Sequence, residues 1–503
     1  MSIASGRAGE LLKAAVNHAD YVLERAADRT GKTPLFVNAL DADNGEPACH
    51  DYDHVDRTAM LSSPASQQNW LRTLAALSAL TGQSAYREAA EDVFRYMLKE
   101  QTDRNGLIYW GGHTSYDLEE RRVAFASDKA RVHELKCHYP DYNLMWNADR
   151  SGTKRYIEAV WNAHIIDWSN LDFNRHGPYD APPGALWANG YEDGDVFFWG
   201  GGLTFVNAGS DLYYGAAMLA KLTGEDAPLE WAMRLAERYA QTRRSGVGIS
   251  GYQFSQSASA WCDGPAIRGD RAQYQLAPLI PEGRPVYEST LFKPRPAVQR
   301  CQLAIGEALG DRGRPFLDWS CGEMAAWGRT AYRGEDNSFV PMLTDGWSLE
   351  GLTLDRNGYF GRKGTVFKAI PAGPEFFWMY AMGYRLSGDP FLWTMVRNIA
   401  AGLGFGDIGE PDGGRRGAKL PGPATGDHRI LFGMLELHKA TGRDCFLSMA
   451  NQTANQLLGA RYRKGRFVTG GKVLINDPAP LALLHLVSAE TNAGDGLPSV
   501  FQT

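Results

Sequence analysis

The sequence predicts a mostly α fold: antiparallel helical hairpins closed into an (α/α) toroid, with β-containing insertions around a cleft. Three observations carry this prediction. Four segments, "LAALSALTGQSAYREAA", "GAAMLAKLTGEDAPLEWA", "YAMGYRLSGDPFLWTMV" and "MLELHKATGRDCFLSMA", each run from an apolar helical stretch through a Thr/Ser-Gly pair and a polar turn into a second helical stretch. They recur from the first hundred residues to the last hundred, so one supersecondary unit builds the whole chain. Between them lie irregular Gly-rich and Trp-rich insertions, and a closed ring gathers such loops around one cleft where an open superhelix does not.

Taken in order, the elements have local reasons. Leu11, Leu12, Ala15, Val16, Ala19, Val22 and Leu23 fall at helical spacing. Gly82, Gly224, Gly388 and Gly442 stand where a helix C-terminus wants a residue at ease at positive φ, and the Gln, Asp or Glu that follows suits the next helix start. "GLIYWGGH" and "VFFWGGGLTFVN" are the best strand candidates. A helix over Val132 to Cys137 would put Glu134 on one face with Arg131 and His138. Without a Pro/Ser-rich linker, residues 1–503 read as a single catalytic domain with β-containing excursions around 104–118, 190–210 and 245–296.

Composition narrows the function. With 44% hydrophobic and 22% charged residues the chain is an ordinary globular enzyme by composition. A net charge of -6 without blocks of like charge excludes a nucleic-acid footprint. Six scattered cysteines, none in a C-x-x-C pair, argue against a zinc ribbon, a redox motif or a disulfide framework. The sequence shows neither a signal-peptide pattern nor an uninterrupted apolar run of membrane-spanning length, so the expected location is the cytoplasm and no membrane partner is expected.

Five of the 11 histidines (His113, His133, His138, His164, His176) lie between residues 113 and 176. His113, Glu134 and His176 form the sharpest candidate site. Two imidazoles and one carboxylate leave open coordination positions and suit Mn, Co, Ni or Zn better than Ca or Mg. Turn-capping or buried structural histidines are the alternative account of the same residues. "CHDYDH" (His50, Asp51, Asp53, His54) is a second possible cluster, with a solvated loop as its plainer reading. "YEDGD" (Glu192, Asp193, Asp195) reads as a turn, or as the acid pair of a hydrolase. "RTGKTP" lacks the first glycine of a P-loop. Trp110, Trp199 and Trp261 are sugar platforms or core, and Arg131 is a uronate clamp or a surface ion pair.

The motifs "GGH", "HELK-x-H-Y-P" and "LDFNRHG", in which Glu134 follows His113 by 21 residues and His176 follows Glu134 by 42, resemble polysaccharide lyase family 2, the (α/α)-barrel pectate lyases. The match covers roughly residues 106 to 180. The resemblance implies an (α/α)7 barrel with β-rich arms, β-elimination on homogalacturonan, and a transition metal on His113, Glu134 and His176. It also implies Arg175 as Brønsted base, exolytic action on oligosaccharides by cytoplasmic members, and an anionic uronate oligo- or polysaccharide as partner. Residue chemistry alone reads Arg175 first as a carboxylate clamp, because a guanidinium normally keeps its proton. It leaves His164 or Lys136 as alternative bases.

Overall fold

The computed structural model describes residues 6–48, 60–112, 114–125, 131–257, 275–285, 293–413, 426–493 and 496–503. In chain order it runs α1 (Arg7–Arg25), β1 (Ala39–Asp41), β2 (Leu61–Ser62), α2 (Gln68–Thr81), α3 (Ser84–Glu100), β3 (Thr114–Asp117), β4 (Arg122–Phe125), β5 (Val132–Glu134), α4 (Tyr142–Ala148), α5 (Arg150–His164), β6 (Ile165–Asp167), β7 (Asp172–Phe173), β8 (His176–Pro178), β9 (Phe198–Gly200), α6 (Val206–Thr223), α7 (Ala227–Gln241) and β10 (Ser255–Ser257). The helices Pro296–Leu309, Arg314–Thr330, Pro374–Ser387, Pro390–Gly402, His428–Thr441, Asp444–Arg461 and Ala479–Thr491 follow. The mostly α architecture with short β insertions matches the expectation from sequence.

The chain forms two compact units, each discontinuous in sequence: 1–160, 176–183 and 422–503 make the first, and 161–175 and 184–421 the second. In the first, β1 pairs antiparallel with the strand Lys472–Leu474, so the two ends of the chain share one ladder. Leu11, Leu12, Ala15, Ala19 and Val22 of α1 are buried, and α1 packs on Ala479–Thr491, which also packs on α2. In the second unit α6 packs on α7, and Pro296–Leu309 packs on both Arg314–Thr330 and α6.

The four Thr/Ser-Gly pairs close their helices by one shared device. Gly82, Gly224, Gly388 and Gly442 hold φ of 74°, 79°, 68° and 66°, the left-handed cap that lacks a Cβ penalty only for glycine. The preceding hydroxyl of Thr81, Thr223, Ser387 or Thr441 donates to the carbonyl four residues back at 2.7 to 2.9 Å. The same hydroxyl accepts the amide two residues ahead at 3.1 to 3.3 Å. Of the residues expected to start the next helix, Asp389 caps with its side chain, accepting from the Phe391 amide. Gly224→Ala should lower the unfolding free energy by about 1 kcal/mol, the cost of a left-handed non-glycine residue, as read from chemical denaturation.

Two strand expectations shift, each for a local reason. Among the described residues of "GLIYWGGH" only Ile108 bridges, to Thr102. Gly111 at φ 124° turns the chain, and the ladder begins at Thr114. In "VFFWGGGLTFVN" the strand is Phe198–Gly200 alone. The Asp172 carboxylate takes the amides of Gly201 (2.6 Å) and Gly202 (3.2 Å) out of any ladder, and α6 starts at Val206.

His18 is fully buried in the first unit. Its Nδ1 accepts the Phe467 amide at 3.2 Å, and desolvation, with Arg461 adding to it, holds its pKa down at about 3 against an ordinary 6.5. The unfolded chain binds this proton at 6.5 and the folded chain resists it until about 3. The resulting stability is therefore complete above 6.5 and drains away as pH falls toward 3. His18→Gln, which keeps an acceptor but does not titrate, should flatten the fall of the unfolding midpoint across that window in thermal melts.

Candidate active site

The site grows from a two-stranded ladder in the first unit. β5 and β8 run antiparallel with Val132 opposite Pro178, His133 opposite Gly177 and Glu134 opposite His176. The condition of a helix over Val132 to Cys137 is not met: pairing with β8 supplies the backbone partners, and left-handed Cys137 (φ 56°) and Tyr139 (φ 42°) end the segment. Arg131 is therefore not one helical turn from Glu134. It is exposed at the start of the strand, with its guanidinium carbon 5.6 Å from the Phe125 ring centroid.

Strand alternation sends neighbouring side chains to opposite faces, which separates His133 from Glu134. The His133 ring meets Tyr156 and Tyr179 edge to face at 6.3 and 6.4 Å. The Glu134 carboxylate instead meets the His176 imidazole, Oε1 to Nε2 3.4 Å, with the glutamate side chain 1% exposed and the histidine 36%. An otherwise buried carboxylate thus borders an imidazole that solvent reaches.

Glycines make this approach possible. A Cβ on Gly112 would stand 1.5 Å from Glu134 Oε2 and 3.0 Å from Lys136 Cδ, and one on Gly111 would stand 2.9 Å from the Glu134 backbone nitrogen and oxygen. No side-chain-bearing residue fits at 112 without displacing the carboxylate, so the Gly-Gly step before His113 forms the seat of Glu134. His113 itself lies outside the described residues, as do His50, Asp51, Asp53, His54 and Trp261. Among the described residues no group of three or more His, Cys, Asp or Glu side chains could hold a metal ion. Glu134 and His176 supply a pair, and the expected third ligand follows Gly112 directly in the chain.

The remaining expected residues fall as follows. Trp110 is 2% exposed, its Nε1 donating to the Tyr156 hydroxyl at 2.7 Å and its carbonyl receiving the Tyr179 hydroxyl at 3.4 Å. Its ring is core, which corrects its reading as a sugar platform. Burial pushes the Tyr179 hydroxyl far above the ordinary tyrosine range. Arg175 belongs to the second unit, half-buried, in a bend before β8. His164 is fully buried with Nδ1 2.7 Å from the Asn174 carbonyl, a structural placement that does not suit a base. Lys136 is exposed. Burial lowers His138 to about 4, the nearby Glu134 charge opposing that shift. In the second unit "YEDGD" is irregular chain and not an assigned turn: Asp193 is left-handed and exposed, and buried Arg238 donates to the Gly194 carbonyl (2.8 Å) and to Asp193 Oδ1 (3.4 Å). That geometry ties Asp193 to Arg238.

A buried carboxylate, an imidazole and a cation-bearing stretch on a mostly α scaffold suit an enzyme that acts on acidic sugars, and the comparisons define its class. A family model described as periplasmic pectate lyase matches residues 33–503. A pectate disaccharide-lyase from Dickeya dadantii (strain 3937) is 30% identical over 97% of this chain and 91% of that protein. The protein is a polysaccharide lyase. It belongs to the periplasmic pectate lyase family, and its substrate class is an anionic, pectate-related polysaccharide. Among solved structures it is similar to an α-1,2-mannosidase from Trichoderma reesei (10% identity, TM-score 0.49, 95% of this chain and 93% of that one). It is also similar to a cellobiose 2-epimerase from Bacillus thermoamylovorans B4167 (9% identity, TM-score 0.47, 96% and 99%). The family description points to the periplasm and overturns the cytoplasmic expectation. Among the described residues no helix is long and apolar enough to cross a membrane.

Proposed function

We propose that the protein cleaves 4-linked galacturonate chains by β-elimination, acting exolytically on oligogalacturonides and leaving a 4,5-unsaturated uronosyl end. The observation that carries this reading is the Glu134–His176 pair, 3.4 Å apart and seated on Gly111-Gly112. A nearly buried carboxylate beside an accessible imidazole is a donor set that fits a transition metal, and His113, Glu134 and His176 would hold Mn, Co or Ni, with Zn also compatible. A bound divalent ion supplies positive charge that offsets the substrate carboxylate, which otherwise makes the adjacent C5–H too weak an acid. Arg175, one residue before His176, takes the C5 proton. The electron pair of that C–H bond becomes the C4=C5 double bond, the C4–O bond breaks, and the leaving oxygen takes a proton from water to end as a hydroxyl. Lys136, whose stem passes over Gly112, adds charge for the uronate. The test is the ultraviolet absorbance of the unsaturated end on polygalacturonate with Mn present. It should rise, stop on chelation and return when Mn is restored. No rise, or a rise indifferent to chelator, would sink the reading.

A further inference from the structure

The second unit contains a narrow recess that neither the ladder nor the family assignment accounts for. Three elements build it by helical spacing. Arg314–Thr330 presents Trp319, Glu323 and Trp327, each four residues after the last, and Pro296–Leu309 presents Val298, Gln299 and Gln302. The end of α7 and the chain beyond it add Tyr239, Arg243, Ser250 and Tyr252. Lys293 and Arg295 complete the wall just before the Pro296–Leu309 helix. That helix starts at Pro296, so the positive end of its dipole lies at Arg295.

Charge and polarity in the recess are unbalanced. Among the described lining residues stand three cations (Arg243, Lys293, Arg295) and one carboxylate, Glu323, which accepts from Arg243 Nη2 at 3.2 Å and from the Ser250 hydroxyl at 2.5 Å. The Arg295 guanidinium carbon lies 4.7 Å from the Tyr252 ring centroid, a cation–π contact. Lys293 has no carboxylate partner among the described residues. Gln302 is 6% exposed and lines the recess, yet its amide has no hydrogen-bond partner among the described residues. An amide in that state is available to a polar group that enters the recess. The space left, about 20 Å³, holds one small polar group and not a sugar ring.

We infer that this recess is a carboxylate subsite: it takes the carboxylate of one uronate residue, with Lys293, Arg295 and the Gln302 amide as donors and the sugar ring left at the mouth. The inference rests on the uronate reading above and adds a binding residue set in a different part of the chain. A carboxylate is the fitting ligand because planar Arg295 and a neutral amide donor match its two oxygens, while Glu323 limits the net charge available to a phosphate.

Galacturonate, which has no glycosidic bond to lose, is the probe. Calorimetric titration into the full-length protein should show binding that Lys293→Ala and Arg295→Gln each weaken roughly tenfold, as expected for a charge-assisted contact. Galactose should not bind. On polygalacturonate the same variants should raise KM by a similar factor with kcat within about twofold, since the contact is equal in ground and transition states. Unchanged thermal melts show that the exposed Lys293→Ala variant folds, and Gln302→Leu supplies an uncharged test of the same pocket. Galacturonate binding and KM that ignore all three substitutions, or galactose binding as well as galacturonate, would overturn the subsite. If no unsaturated product forms but the variants still weaken galacturonate binding, the elimination reading fails and the subsite stands.

Discussion

Replacing Glu134 by glutamine should lower the rate of unsaturated-product formation on polygalacturonate by about 10²- to 10³-fold, the scale of removing one electrostatic contact made to developing charge. The substitution keeps the size of the side chain, so the seat on Gly111-Gly112 stays filled and the thermal midpoint should change little. What is lost is the negative charge 3.4 Å from His176 Nε2, and with it the tie that holds the imidazole and any cation between them. The reduction should fall on kcat and kcat/KM together, the pattern of a contact made in the transition state. Steady-state ultraviolet kinetics check it. A Glu134→Gln enzyme with near wild-type turnover would remove Glu134 from the chemistry.

Gly112→Ala should be nearly as damaging by a different route. The added methyl would stand 1.5 Å from Glu134 Oε2, a separation no relaxation of the methyl itself can relieve, so the carboxylate must leave its position. Forced shifts in a filled site cost about 1–3 kcal/mol, and a displaced carboxylate no longer faces His176. The expected result is a turnover loss approaching that of Glu134→Gln, together with a lowered unfolding midpoint, which Glu134→Gln does not share. Activity assays paired with denaturation curves separate the two effects. A fully active, fully stable Gly112→Ala enzyme would show that the close approach is not needed.

The hairpins were legible because their signal is local: a Thr/Ser hydroxyl and a left-handed glycine close each helix within four residues, and the same pair recurs in the sequence. The β5–β8 ladder was not legible, because Glu134 and His176 pair across 42 residues and three-residue strands leave no periodicity to read. Val132 to Cys137 could therefore be read only conditionally, as a helix, while its partner was out of sight. The glycines before His113 gave a usable hint of close approach, and the structure identifies the neighbour as the Glu134 carboxylate. Trp110 misled because aromatic abundance serves a core and a sugar face alike; its buried hydrogen bond to Tyr156 is invisible in sequence. The cationic recess went unnoticed because Arg243 lies some fifty residues before Lys293 and Arg295 in sequence, and only helix packing brings it to them. The cytoplasmic expectation came from the look of the N-terminal stretch and gave way to the family's periplasmic description.

The central claim is that one transition-metal ion sits on His113, Glu134 and His176, and elemental analysis of purified protein after loading with Mn and exhaustive dialysis tests it most directly. The expected content is about one ion per chain in the wild type, falling to near zero in His113→Ala, Glu134→Ala and His176→Ala. A wild type that retains no metal, or single variants that retain as much as the wild type, would contradict it.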